Sequence, residues 1–280
     1  YSRSCLGELD SPESLMASDK SSAKRWDEDE TILALHLYFQ LPFGKLHSGN
    51  PEIQQLAKAL GRSSNSVAMK LCNFASLDPK VTESGRKGLS GASKLDRAIY
   101  ANFAEDWTPL VSLAESKWHE LTADLGDTPK SVKEDRASFE AFIGPSAILA
   151  TALKRRGQDF FRRAVLAIFE EACCVTGIAD ARLLIASHIK PWREDESHRH
   201  NPANGLLLSA TFDRAFDSGL ITIDQKQRIH ISKLLAEHKN IETRAFFRPF
   251  SNAQIRQASR FYPEPEFIEW HNKNCFLDSL

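Results

Sequence analysis

Residues 181–219 constrain the fold more than any other stretch of the chain. Ala181-Arg182-Leu183-Leu184-Ile185-Ala186-Ser187-His188-Ile189 is a β-rich run that ends in a histidine and is stopped by Pro191-Trp192. A polar loop from Arg193 to Ala203 follows, and Asn204-Gly205 carries the signal of a hairpin-type turn. Leu206-Leu207-Leu208 predicts a short strand. Thr211 to Gly219 predicts a short helix, with Thr211 or Ser209 as its cap and Gly219 as its stop. Leu220 to Ile223 and Ile229 to Ile231 predict a closing hairpin. The result is a strand–loop–strand–helix unit with His188 on the first strand, Asn204 at the second, and Asp213 and Asp217 on the helix.

That placement carries chemistry. Asp213 and Asp217 are four residues apart and share one helical face, while Phe212 and Phe216 line an adjacent one. Two carboxylates stacked in this way repel unless a cation lies between them. Hard oxygen ligands that leave room for water and a phosphate suit Mg²⁺. An imidazole opposite such a metal can take the proton from an attacking water. Upstream, the run from Lys154 to Arg163 holds five basic residues, Lys154, Arg155, Arg156, Arg162 and Arg163, against one acid, Asp159. Such a face attracts phosphates, and cations oppose the dipole at a helix N-terminus, so a merely solvated helix start is the weaker reading.

Several motifs then occur in order: Arg156-Gly157-Gln158 with Phe161-Arg162, Cys173-x-Val175-Thr176-Gly177, Ala186-Ser187-His188-Ile189-x-Pro191-Trp192, Asn204-Gly205-Leu206-x-Leu208 and Phe216-Asp217-x-Gly219-Leu220. A tail motif, Pro263-x-Pro265-Glu266-Phe267 with Trp270-His271, completes the set. Over roughly 154–275 the chain resembles the HNH (ββα-metal) endonucleases, in particular their bacterial restriction-endonuclease-like branch. The resemblance implies a metal-dependent DNA endonuclease using Mg²⁺, Mn²⁺ or another divalent metal. It implies that His188 is the general base, that Asn204 braces the loop bearing it, and that Asp213 and Asp217 are metal ligands. Two departures stand out. The last motif residue is Asp213 where the family has histidine, and Ser187 stands where other members often place an acidic or histidine ligand. The alternative that Ser187 motivates is a DNA-binding regulator with a degenerate, inactive HNH module.

The N-terminal half predicts helices. Trp26, Thr31-Ile32-Leu33, Leu35, Leu37 and Tyr38-Phe39 recur at helical spacing behind the acids Asp27, Glu28, Asp29 and Glu30, which suit a first helical turn. Residues 52–71 place small Ala57, then Gly61 at a tight interhelical turn, then apolar Val67, and so resemble a helix-turn-helix; with the Trp-bearing helix ahead, the unit resembles a Myb-like domain. Arg62, Ser64, Asn65 and Lys70 would then face phosphates or base edges, with Arg156, Arg162 and Arg163 as the backbone clamp beside the cutting module. A helical bundle with a solvated polar face explains the same pattern equally well.

The fold expected is therefore α+β: a disordered tail over 1–24, a helical DNA-binding-like domain over 25–77, a linker and helical connecting region over 78–150, and an HNH nuclease domain over 151–280. The partner expected is double-stranded DNA. Cutting both strands with one such site calls for a homodimer or for two sequential nicks. The 280 residues carry 36 Lys and Arg against 37 Asp and Glu, which excludes a uniformly basic DNA-coating protein but leaves room for local basic patches. No apolar run approaches the ~20 residues that span a bilayer, and no charged-then-apolar leader opens the chain, so no membrane partner and a cytoplasmic, bacterial location are expected. The five cysteines form no C-x-x-C pair, which disfavours a zinc knuckle.

Overall fold

In the computed structural model, residues 24–83, 85–104, 107–123 and 145–278 are described, with backbone alone for Lys80, Ala104, Ala123 and 145–156. The predicted tail apart from Lys24, and residues 124–144 of the predicted connecting region, lie outside these residues. The order of elements is α1 (Glu28–Gln40), α2 (Pro51–Leu60), α3 (Ser64–Ala75), α4 (Pro79–Glu83), α5 (Lys94–Ala104), α6 (Trp107–Ala123), α7 (Pro145–Ile168), β1 (Leu184–His188), β2 (Gly205–Ser209), α8 (Ala210–Asp217), β3 (Ile221–Ile223), β4 (Ile229–Ile231), α9 (Lys233–Ala236), α10 (Ile241–Phe247) and α11 (Pro265–Asn274). Helices occupy the N-terminal half, and two antiparallel two-stranded sheets stand in the C-terminal half. No helix among the described residues is long and apolar enough to cross a membrane.

Helix α1 begins with a complete capping box. The Asp27 side chain accepts from the Glu30 amide, and Glu30 returns a bond to the Asp27 amide. It is buried nearly all round, and its Leu35, Tyr38 and Phe39 form the centre of the N-terminal core. Around it pack α2 and α3, joined by a short turn in which Gly61 adopts φ +63°, the left-handed conformation that glycine reaches without steric cost. Ser63 caps α3. The stretch predicted as a connecting region does more than connect. Trp107, Leu110, Val111 and Ala114 of α6 are core residues of the same bundle, and the Trp107 ring meets Phe39 edge-on at 4.3 Å.

Helix α7 joins the two halves. Phe160 and Ala164 belong to the N-terminal core, while Phe161, Val165 and Ile168 belong to the C-terminal one. At helical spacing, neighbouring positions diverge by about 100°, so a single helix can serve two cores from adjoining faces. A second tie is Arg260. It is 1% exposed, donates to the carbonyls of Tyr38 and Leu41 at 2.9 Å each, and lies over the Tyr38 ring at 4.4 Å. The negative end of the α1 dipole meets the guanidinium there.

Candidate functional site

The site is built on β1 and β2, which pair antiparallel with Ser187 opposite Leu206 and His188 opposite Gly205. Successive strand residues point to opposite faces. His188 therefore faces α7, where its ring stacks on Phe161 with centroids 3.7 Å apart and planes within 8°. Gly205, its cross-strand neighbour, is a close-approach glycine. It is extended, at φ −127°, and a Cβ there would fall 2.5 Å from Val165 Cγ2 and 2.9 Å from Phe161 Cζ. The Asn-Gly pair is thus no hairpin turn. Asn204 ends a short 3₁₀ turn over Pro202–Asn204, and the glycine lets α7 lie against the strand.

The ionisation of His188 follows from its neighbours. Its Nε2 lies 3.1 Å from the Arg199 carbonyl oxygen, which can only accept, so Nε2 carries the hydrogen and Nδ1 keeps its lone pair. Burial lowers the pKa below the ordinary histidine value and outweighs the opposing effect of that hydrogen bond. The ring is a neutral base at neutral pH. Asn204, 1% exposed, holds the end of β1: its Oδ1 accepts from the Lys190 amide at 2.8 Å, its Nδ2 donates to the Lys190 carbonyl at 3.0 Å, and its own carbonyl accepts from the Ile189 amide at 2.9 Å. The loop over His188 is tied by the Lys190–Asp195 ion pair at 2.8 Å. Burial would raise the Asp195 pKa, but the bonds from Lys190, Ser197 and His198 outweigh it and hold the carboxyl well below the usual range.

Ser187 points the other way, toward α8. Its hydroxyl is buried without a full hydrogen bond, yet it lies close enough to Asp213 to draw that pKa down. Even so, burial pushes Asp213 above the ordinary aspartate value. Asp217 is raised by desolvation from its surroundings and by the charge of Asp213 one turn away. Ser209 stands at the N-cap of α8 without a side-chain bond, and its amide donates instead to the Cys173 sulfur at 3.1 Å. Gly219 stops the helix at φ +68°. A Cβ there would collide with the Cys275 carbonyl oxygen at 1.9 Å, so this glycine serves both the turn and the docking of the C-terminal segment. Two raised carboxylates and a serine hydroxyl form a set of hard oxygen donors that fits a divalent cation. Among the described residues, no group of three or more His, Cys, Asp and Glu side chains is arranged to hold a metal.

Of the residues expected to touch DNA, Arg62, Lys70, Arg162 and Arg163 have partners within the protein. Arg62, its side chain 6% exposed, is paired with Glu30 at 2.6 Å, donates to the Lys24 and Arg25 carbonyls at 2.8 Å, and lies over Trp26. Lys70 is buried against Asp96 at 2.6 Å. Arg162 donates to the Ala181 and Leu184 carbonyls and so holds the approach to β1, and Arg163 is paired with Glu52 across the two halves. Each of these cations has an internal role, because its partners lie far away in sequence and close in the fold. Ser64 is half-buried and Asn65 exposed on the first turn of α3; the Arg156 side chain lies outside the described residues. Sequence reasoning missed Phe161 as the ring under His188, although that residue stood inside a quoted motif, and it missed Arg260, which has no local signal.

No curated protein matches the chain. The stretch that carries His188, Asn204, Asp213 and Asp217, residues 173–224, matches the family model HNH_2, described as HNH endonuclease.

Proposed function

We propose that this protein is a metal-dependent DNA endonuclease of the restriction-like kind, with His188 as general base, Asn204 as its brace, and Asp213 and Asp217 as ligands of Mg²⁺ or Mn²⁺. One observation carries the reading. Within the matched segment, a neutral histidine with its Nε2 hydrogen committed to a carbonyl is the chain neighbour of the serine that abuts a carboxylate pair. A divalent cation held by the two carboxylates would supply charge stabilisation at the scissile phosphate. The chain's own residues do the rest. Nδ1 of His188 takes a proton from the water whose oxygen bonds to phosphorus, and the bond from phosphorus to the leaving 3′ oxygen breaks. Phe161 and Asn204 fix the imbalance of freedom that a strand-end histidine would otherwise have, one by stacking on the ring and the other by clamping the backbone that follows. Asn65, exposed at the start of α3, is the best-placed N-terminal residue for contact with duplex DNA.

The test is cleavage of supercoiled plasmid in Mg²⁺ or Mn²⁺. Wild type nicks it, and His188→Ala lowers the rate by about 10²–10⁴, the range that general-base catalysis contributes. Equal nicking by the two proteins removes His188 from the chemistry. Metal-independent binding to duplex by a wild type that never cuts would favour the regulator.

A further inference from the structure

We infer that residues 225–257, just beyond the matched family segment, form a second duplex-DNA contact that grips the phosphate backbone; the inference rests on the nuclease reading above. The observation is a local excess of positive charge on an otherwise neutral protein. This stretch holds Lys226, Arg228, Lys233, Lys239, Arg244, Arg248 and Arg256 against two acids, Glu237 and Glu242. Among the described residues, none of their ammonium or guanidinium groups pairs with a carboxylate; Asp224 and Asp278 meet only the backbone amides of Lys226, Arg228 and Lys233. In the other half many cations are paired: Lys24 and Arg62 share Glu30, Lys70 meets Asp96, and Lys45, Arg86 and Arg163 each meet a glutamate. In a protein of net charge −1, the local excess of 225–257 is carried by exposed Lys226, Lys233, Lys239 and Arg248, while Arg228 and Arg244 donate to carbonyls of their own stretch.

The stretch is also a defined platform. The β3–β4 hairpin is tied to the following loop by the Ile255 amide on the Gln227 carbonyl and by the Asn252 amide on the Ile229 carbonyl. Phe246, Phe247 and Phe250 surround Phe212 with centroids 5.9, 5.3 and 4.8 Å away. Phe212 is the chain neighbour of Asp213, so the platform is anchored on the helix that carries the two carboxylates. Lys226, Lys233, Lys239 and Arg248 of this platform are all exposed. Leu234, Ile241 and Phe246 are exposed among these cations, a mixture that would also suit an anionic bilayer. These apolar residues are divided between helices of four and seven residues, too short to lie in a bilayer surface as one amphipathic helix, and the platform is fixed to the candidate nuclease site. Duplex DNA is the occupant these facts favour.

The experiment uses the full chain and a short fluorescent duplex in EDTA, with affinity measured by anisotropy over a salt series. Joint replacement Lys226→Glu, Lys233→Glu, Lys239→Glu and Arg248→Glu should raise Kd about ten-fold or more. It should also reduce the slope of log affinity against log salt by about 3 to 4, near 0.9 for each lost phosphate contact. The matching four-residue change to Gln, which tests against misfolding of the reversed variant, should reduce the slope by a similar amount and raise Kd by less. A control, Lys58→Glu, Lys87→Glu, Lys94→Glu and Arg97→Glu, alters net charge equally on the other half and should leave Kd within about two-fold. The proposal is overturned if the platform variants bind as wild type does. It is also overturned if the control weakens binding as much, or if the platform variants lose anionic vesicles while keeping the duplex. EDTA separates this outcome from the nuclease reading: failure of that reading appears as no cleavage in Mg²⁺ with salt-dependent binding intact.

Discussion

At the scale of single residues, the chemistry of the site depends on what lies behind the histidine. His188 is held by three different constraints: a ring beneath it, a carbonyl on Nε2, and an asparagine that spans the residue two places on. The first depends on a missing atom. Gly205→Ala would drive a methyl into Val165 and Phe161, which belong to a helix fixed by two cores and cannot withdraw cheaply. The expected cost is about 1–3 kcal/mol of stability, the range for overpacking, read as a lower midpoint in urea at unchanged slope. An unaltered midpoint would mean that α7 does not lie where described. The buried Ser187 hydroxyl shows the same dependence on surroundings: an acidic side chain at that position would add a third carboxylate to a pair already raised by burial and by each other.

At the scale of elements, α11 is bound to the sheet region by a histidine outside the proposed chemistry. His271, 2% exposed, lies 2.8 Å from Thr222 Oγ1 on β3 and stacks on Phe216 of α8 at 3.8 Å. Burial lowers its pKa to about 4. The unfolded chain therefore takes up a proton near pH 6.5 that the folded chain refuses until about 4. The stabilisation is fully present above pH 6.5 and is lost as pH falls through this window. Wild type should lose on the order of 2 kcal/mol between pH 7 and 5 from this group, and His271→Gln should flatten that part of the profile in chemical denaturation. Elements of this kind were legible where the signal is local. Gly61 and Gly219 stop helices where punctuation predicted, and the short strands and α8 stand where β-rich apolar runs and capping placed them. Illegible were the facts that depend on partners distant in sequence: Asp96 beneath Lys70, Glu30 beneath Arg62, Phe161 against Gly205. A cation beside a turn carries the same local signal whether it ends on a phosphate or on a carboxylate 26 residues away.

At the scale of the whole molecule, two cores share one helix and one buried arginine. Arg260→Ala would take a charged donor from both the Tyr38 and Leu41 carbonyls, the first keeping its long bond from the Leu41 amide, and would leave a void beside the Tyr38 ring. A loss of about 3 kcal/mol or more is expected, since bonds to charged groups contribute about 1.5–3 kcal/mol each and the void adds to them. Lysine should not restore it, because one ammonium lacks the guanidinium fork that reaches both carbonyls. Calorimetry should show one transition in wild type and a broadened or split one in the variant; a sharp single transition in both would show that the tie is not what makes the halves unfold together. The shared helix has a mechanical consequence. Phe160 and Phe161 are separated by a single peptide unit, and the first packs against Trp107 while the second lies under His188. Helix α7 therefore acts as an axle with a cog on each side. A ligand that turns it by a few degrees from the N-terminal bundle would slide an aromatic plane across the imidazole, so occupancy of one half would be felt as a change of pitch at the other.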